Sequence, residues 1–346
     1  MIHSNSEGDI YIEEMPLLLV HLREEEKGAD ARLSEVLSYA LDGYAYETAT
    51  EISAFEDYVN RWRRLEKTQN RKNPVQGRIL FAVPLGTSGI NLELYRLIRF
   101  LREHPDFLNG FVGGLLVDSE NDLYSKSAAK DLVFAANCAG CAFVGRPLVE
   151  GTRTLSNYTI VSNNLGTDLM GAYRESAAGL VKEVLGTDCV RKKCPKVLVL
   201  HASSHKTSNT YAIWNRVKEQ LPEMEIREIG LRNGTLSDCA GCPYKMCLHF
   251  GEQGSCFYGG VMVEDVYPAV READAIVMLC PNYNDALSAN LTAFINRLTS
   301  LFRTTRFYDK ALFAVVVSGY SGSDIVAEQL IAALNMNKTF YLPGQF

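Results

Sequence analysis

The run KVLVLHASSHKTSNTYAIWNRVKEQL (196–221) turns abruptly from apolar residues to Ser203, Ser204, His205, Lys206, Ser208, Asn209 and Thr210, and a helical pattern follows at once. A helix N-terminus offers unpaired N–H groups and the positive end of its dipole, which together favour an anion. Small hydroxyl and amide side chains add donors there without crowding a phosphate. A simple helix cap at Ser208 or Asn209 would account for one of these residues. It does not account for Ser203, Ser204, Ser208, Asn209 and Thr210 together, so the turn is read as a phosphate seat, with His205 or Lys206 supplying positive charge.

A second constellation is DCAGCPYKMCLHFGEQGSC, in which Cys239, Cys242, Cys247 and Cys256 are spaced C-x2-C-x4-C-x8-C. Four thiolates so close in sequence can hold an iron–sulfur cluster or a structural zinc. They can also remain free thiols, each an ordinary small hydrophobe. His249 is read as a loop residue rather than a fifth ligand. The other cysteines say less. Cys138 and Cys141 are expected to be buried at a helix-to-strand turn, Cys189 and Cys194 flank a linker, and Cys280 ends an apolar run as packing.

Elements that would position these residues recur along the chain. PLLLV (16–20), RILFAV (78–83), GGLLVD (113–118), KVLVL (196–200), AIVMLC (275–280) and LFAVVVS (312–318) are continuously apolar, as strands covered on both faces are. Helical stripes lie between them: Leu33, Val36, Leu37, Ala40 and Leu41 form one, and Ile213, Trp214, Val217 and Leu221 another. Strand alternating with helix predicts a doubly wound parallel α/β sheet.

The two halves also resemble each other. LLLVHLREEEKGADARLSEVL lies over VLVLHASSHKTSNTYAIWNRV at a constant offset of 180, and RILFAVPLG over AIVMLCPNY at 197. AAKDLVFAANCAGCAFVG resembles VAEQLIAALNMNKTFYLPG in the same order, and the four-cysteine segment falls where the offset grows. Three ordered matches predict two tandem copies, 1–187 and 188–346, joined by GTDCVRKKCP (186–195). In the first copy the phosphate turn reads REEEKGAD. Each of Glu24, Glu25 and Glu26 within ~4 Å of a phosphate would cost roughly 1 kcal/mol even in water, so that copy is expected to carry no cofactor. GTDLMGAYRESAAGLVKEVLG (166–186) adds a helix that the second copy lacks.

Composition narrows the function classes. With 346 residues, 47% hydrophobic and 22% charged, the chain can fill the cores of two domains. A net charge of −6 argues against general affinity for nucleic acid or anionic membrane. No apolar run approaches the ~20 residues of a membrane span. The first residues lack signal-peptide regions, so the expected location is cytoplasmic, with thiols rather than disulfides.

ASSHKTSNT resembles the phosphate loop of the NADPH-dependent FMN reductase and iron–sulfur flavoprotein family. EADAIVMLCPNYNDALSANLTAFINRL (272–298) and VVVSGYSGSDIVAEQL (315–330) are similar to its second and third loops. Ala202 stands where that family has glycine and His205 where it has arginine, so phosphate affinity should depend on pH. The resemblance covers about 196–346 and implies a flavodoxin-like fold. It implies that Ser203, His205, Lys206, Ser208, Asn209 and Thr210 hold the FMN phosphate. Pro281, Asn282, Tyr283 and Asn284 would line the isoalloxazine, with Ser318, Gly319 and Tyr320 on the third loop; Tyr283 and Tyr320 read equally as packing residues. It also implies a [4Fe–4S] cluster on Cys239, Cys242, Cys247 and Cys256, although the family's cysteine spacing is more compact.

The function expected is an oxidoreductase that takes electrons from NAD(P)H through FMN to a small-molecule or protein acceptor. Two rivals stand beside it: an electron-transfer module serving a ferredoxin-like partner, and a flavin-free scaffold or sensor. A homo-oligomer or an intrachain pseudo-dimer is expected.

Overall fold

The computed structural model describes residues 15–23, 27–68, 76–188, 192–203 and 208–346. They form two compact units divided after Asp188. Unit 1 runs β1 (Leu17–His21), α1 (Lys27–Ala40), β2 (Tyr46–Ala49), α2 (Ile52–Thr68), β3 (Gly77–Leu85), α3 (Leu92–Glu103), β4 (Phe111–Ser119), α4 (Ser125–Cys138), β5 (Ala142–Gly151), α5 (Thr159–Leu165) and α6 (Leu169–Gly186). Its five strands are parallel, in the order β2-β1-β3-β4-β5. This is the flavodoxin-like order.

Unit 2 runs β6 (Lys196–His201), α7 (Asn209–Lys218), β7 (Glu225–Gly230), α8 (Tyr244–Glu252), α9 (Tyr267–Glu272), β8 (Ala275–Pro281), α10 (Ala289–Phe302), β9 (Ala311–Val317) and α11 (Ser323–Leu330). Its order is β7-β6-β8-β9, again all parallel. One isolated parallel bridge, Ala311 to Tyr341, stands where unit 1 has its fifth strand. The three internal matches therefore fall on topologically equivalent elements.

All six apolar runs are strands. The remaining three are β2, β5 and β7. β2 and β7 are edge strands whose residues alternate between exposed and covered, so neither shows the continuous apolar run of a central strand.

The helix stripes divide. Leu33, Val36, Leu37, Ala40 and Leu41 of unit 1 are all buried. In unit 2 only Trp214 is; Ile213 is 44% exposed and Val217 40%. The difference lies in α6, which packs on α1 and on the sheet of unit 1. A Cβ added at Gly114 of β4 would come within 2.8 Å of Val184 of α6, so that glycine lets the helix lie flat on the strand. Unit 2 has no counterpart of α6 among the described residues. No described helix is long and apolar enough to cross a membrane.

Candidate functional site

In an open doubly wound sheet, ligands bind beyond the carboxyl ends of the strands where the winding reverses. In unit 2 that point lies between β6 and β8, which are neighbours in the sheet although β7 intervenes in sequence. Three loops meet at this edge, following β6, β8 and β9.

The first loop leaves β6 at the buried His201 and continues through Ala202 and Ser203. His205, Lys206 and Ser204 lie outside the described residues, as do Glu24, Glu25 and Glu26 of unit 1. The Ser203 hydroxyl is buried with no hydrogen-bond partner among the described residues. Ser208 is the N-cap of α7, its Oγ accepting from the Tyr211 N–H at 3.2 Å. Asn209 is exposed and Thr210 buried, so only one of these two neighbours presents its side chain to solvent. α7 is held against β7 by Glu228, which accepts from Tyr211 Oη (2.7 Å), Trp214 Nε1 (3.2 Å) and Lys218 Nζ (2.7 Å). Burial alone would raise the Glu228 carboxyl, but these donors together hold it below its usual range. The same hydrogen bond pushes the Tyr211 phenol up to about 12.

The second and third loops are tied together by Asn282. Its backbone N–H donates to Val317 O at 2.8 Å. Its Nδ2 reaches Ser318 Oγ (3.0 Å), Asp285 Oδ1 (3.1 Å) and Ser321 O (3.3 Å), while its Oδ1 is buried without a partner among the described residues. Asn284 and Asp285 both have φ of 55°, and Tyr283 bridges Ala286 in antiparallel fashion. Positive φ at both central residues is the signature of a type I′ turn, which Asn and Asp tolerate. Gln329 of α11 clamps this turn from both sides, accepting from Leu287 N (3.0 Å) and donating to Asp285 O (3.1 Å). Ser318 Oγ donates to Ser321 O at 2.7 Å, and Gly319 has open space around it. Tyr283 is 60% exposed and Tyr320 fully exposed, so neither is a packing residue of unit 2.

Sequence reasoning missed Asp285, Ser288, Ser321, Gly322 and Gln329. Ser288, the residue before α10, also has a buried hydroxyl without a partner among the described residues. The Asn-Asp pair and the Gly in SGYSGS were the available turn signals. Gln329 had none, because its role comes from the approach of α11 to a distant loop.

The polar atoms at this edge fit a phosphorylated, hydrogen-bonding planar ligand such as FMN. Among the described residues Ser203 Oγ and Ser288 Oγ are unused donors and Asn282 Oδ1 is an unused acceptor, and the first turn of α7 supplies backbone N–H groups. Buried polar atoms left unpaired cost about 1–3 kcal/mol each, so this set calls for a partner.

The four cysteines do not pass the same test. Cys239 is exposed; Cys242, Cys247 and Cys256 are partly covered; all four are free thiols. Cys242 lies beside the Tyr258 phenol and Cys256 beside the Tyr267 phenol, both of which are raised, first by burial and then by the thiols. No three Cys, His, Asp or Glu side chains gather into a metal-binding set among the described residues. Neither the [4Fe–4S] reading nor the zinc reading finds support there, and no chemistry is derived through a metal. The segment is instead pinned along α10: Asn296 donates to Asp238 Oδ1 (3.0 Å), Arg297 to Gly259 O (2.7 Å) and Ser300 to Ser255 O (2.6 Å). Cys247 and His249 lie on α8 rather than in a loop. Cys141 and Cys280 are buried as expected, and burial pushes the Cys280 thiol up. Cys138 is exposed instead, and Cys189 lies outside the described residues.

Unit 1 treats the equivalent place differently. The Ala29 N–H in the first turn of α1 donates to Glu120 Oε1 at 3.1 Å. Glu120 follows β4, so a carboxylate from this unit's own third loop fills the helix-end position where a phosphate would sit. His21 at the end of β1 pairs with Asp30 at 2.8 Å. A cleft of about 470 Å³ lies to one side, toward the start of α4. Its polar groups engage one another: Ser125 Oγ donates to Glu150 Oε2 (2.8 Å), and Thr152 Oγ1 to Asn157 Oδ1 (3.1 Å).

Comparison with known proteins bears on unit 2. Residues 195–346 match the model of the NADPH-dependent FMN reductase family. No curated protein matches the chain. Among solved structures, a chain described as a GCN5-related glucosamine N-acetyltransferase region of a fungal multi-domain GH3 β-N-acetylglucosaminidase aligns with 90% of this chain at 10% identity and a TM-score of 0.19. This chain spans 42% of its length, and a TM-score that low transfers neither fold nor activity.

Proposed function

We propose that unit 2, whose residues 195–346 match the NADPH-dependent FMN reductase family, binds FMN and works as an NAD(P)H-dependent flavin oxidoreductase. The observation that carries this reading is the set of buried polar atoms without a hydrogen-bond partner among the described residues, Ser203 Oγ, Asn282 Oδ1 and Ser288 Oγ, on loops at the carboxyl ends of β6 and β8. FMN, when bound, supplies the exchange of electrons between nicotinamide and acceptor. The protein's part is to bind and orient. The Ser203 hydroxyl and the first N–H groups of α7 hold the phosphate, joined by the side chains of Asn209 and Ser208 where the cap bond permits. His205 and Lys206 are assigned the balancing positive charge. Asn282 locks the second loop to the third, so Pro281, Asn284, Ser318 and Gly319 present backbone to the ring at fixed separation. Tyr283 and Tyr320 offer exposed aromatic surface beside it. Such chemistry needs no general base, which accords with the absence of a catalytic triad in the sequence. Unit 1, its helix end already occupied by Glu120, is assigned a structural role without cofactor.

The test is anaerobic purification, an absorption spectrum, quantitation of FMN, iron, sulfide and zinc, and titration with NADPH. A yellow protein whose flavin band bleaches on adding NADPH is expected. Bound flavin that NADPH leaves oxidised but a reduced ferredoxin bleaches would favour the electron-transfer module. Colourless protein that does not take up FMN would sink the proposal.

A further inference from the structure

The carboxamide of Asn282 is fixed in one orientation. Its backbone N–H donates to Val317 O at 2.8 Å, and its Nδ2 reaches three acceptors on two loops: Ser318 Oγ (3.0 Å), Asp285 Oδ1 (3.1 Å) and Ser321 O (3.3 Å). Ser318 Oγ donates its own proton to Ser321 O (2.7 Å), so toward Asn282 it is an acceptor. Turning the amide over would set its oxygen against a carboxylate, a backbone carbonyl and a hydroxyl whose proton is engaged elsewhere. Asn282 Oδ1 therefore has a fixed aim and a fixed role. It is buried and has no partner among the described residues, and a carboxamide oxygen can only accept.

The Ser203 and Ser288 hydroxyls at the same edge are less demanding, because a hydroxyl donates or accepts. Asn282 Oδ1 calls for a donor. If the occupant is FMN, as proposed above, the choice of donor is narrow. The ring of the oxidised flavin is rich in acceptors and carries a single N–H, at the imide nitrogen between its two carbonyls. The ribityl hydroxyls are donors too, but they lead from the phosphate, whose seat is the start of α7 after β6. Asn282 is knotted to the loop after β9, and β8 separates β9 from β6 in the sheet. A buried acceptor left unmatched is costly, so this one atom bears on which end of the ring faces the knot.

We propose that Asn282 recognises the imide N–H of the flavin, its Oδ1 accepting that hydrogen bond, and so orients the pyrimidine end of the ring toward the junction of the second and third loops. This assignment rests on FMN binding to unit 2. Asp285, Ser318 and Ser321 are positioning residues: they engage the amide nitrogen and thereby hold the oxygen in place. A planar ligand whose rim offers acceptors alone leaves Oδ1 unmatched and is disfavoured.

Fluorescence titration of the full chain with FMN and with its N3-methyl analogue, which lacks the imide N–H, tests this. Wild-type protein is expected to bind FMN roughly 10- to 100-fold more tightly than the analogue. In Asn282→Ala the affinity for FMN should fall and the two ligands should bind alike. A residue that merely tied the loops would weaken both ligands and preserve their ratio. Ser318→Ala, which removes one acceptor of the amide nitrogen and leaves Oδ1 in place, should still disfavour the analogue. Equal affinity of the wild type for the two ligands overturns the assignment while leaving FMN binding standing. So does an Asn282→Ala variant that still discriminates, which would put a different acceptor at the imide. Wild-type protein that binds neither ligand overturns it together with the flavin reading.

Discussion

Gly322 shows how closely the second and third loops meet. It has φ of 92°, and a Cβ there would come within 2.1 Å of Asp285 Oδ1 and 3.1 Å of Asn282 Nδ2. Both the backbone and the space forbid a side chain. Gly322→Ala is expected to destabilise unit 2 by about 1–3 kcal/mol and to weaken FMN binding, because the carboxylate it displaces accepts from Asn282. Thermal melts and flavin fluorescence titration check both effects. An alanine variant with wild-type FMN affinity would mean that the loop clamp does not shape the site.

Among the elements, α7 carries the phosphate end of the site, and its anchorage to β7 rests on one carboxylate. Glu228 is depressed in the folded state by its three donors. By linkage, its stabilisation is present above the unfolded carboxyl value, ~4.3, and is lost as pH falls through the lower folded value. Melting temperature followed from neutral to acid pH should therefore fall more steeply in the wild type than in Glu228→Gln. The two curves should converge at the acid end, where both side chains are neutral. Parallel curves would show that the three donors do not favour the charged form.

At the scale of the whole molecule, two units of one topology treat the same helix end in opposite ways. Among the described residues unit 2 leaves donors unpaired, whereas unit 1 satisfies one with Glu120. The stoichiometry expected is therefore one FMN per chain. Glu120→Ala should lower the stability of unit 1 by about 1 kcal/mol, the usual cost of a lost helix cap, and leave the stoichiometry at one. Removing the carboxylate frees the Ala29 N–H, but REEEKGAD offers none of the hydroxyl side chains of the second copy's turn. Flavin quantitation on the purified variant reads this directly, and a second equivalent of FMN would refute the structural role assigned to unit 1.

Much of this was legible in the sequence, because it depends on local period and on which residues neighbour one another along the chain. Continuous apolar runs marked the central strands, since a strand buried on both faces cannot afford polar residues. The strand–turn–helix grammar placed the donors of Ser203 and Ser208 at a helix mouth. Edge strands such as β7 escaped notice because half of each faces water. Tertiary structure alone decided the rest. Asn282 became the knot between two loops, Gln329 its clamp and Glu120 the plug of unit 1, each through a partner dozens of residues away. The spacing of four cysteines suggested a metal, but whether thiols converge on one point is a property of the folded chain, and no metal-binding set is found among the described residues. The apolar stripe of α7 likewise predicted burial, but burial requires a covering element, and unit 2 has no equivalent of α6 among its described residues.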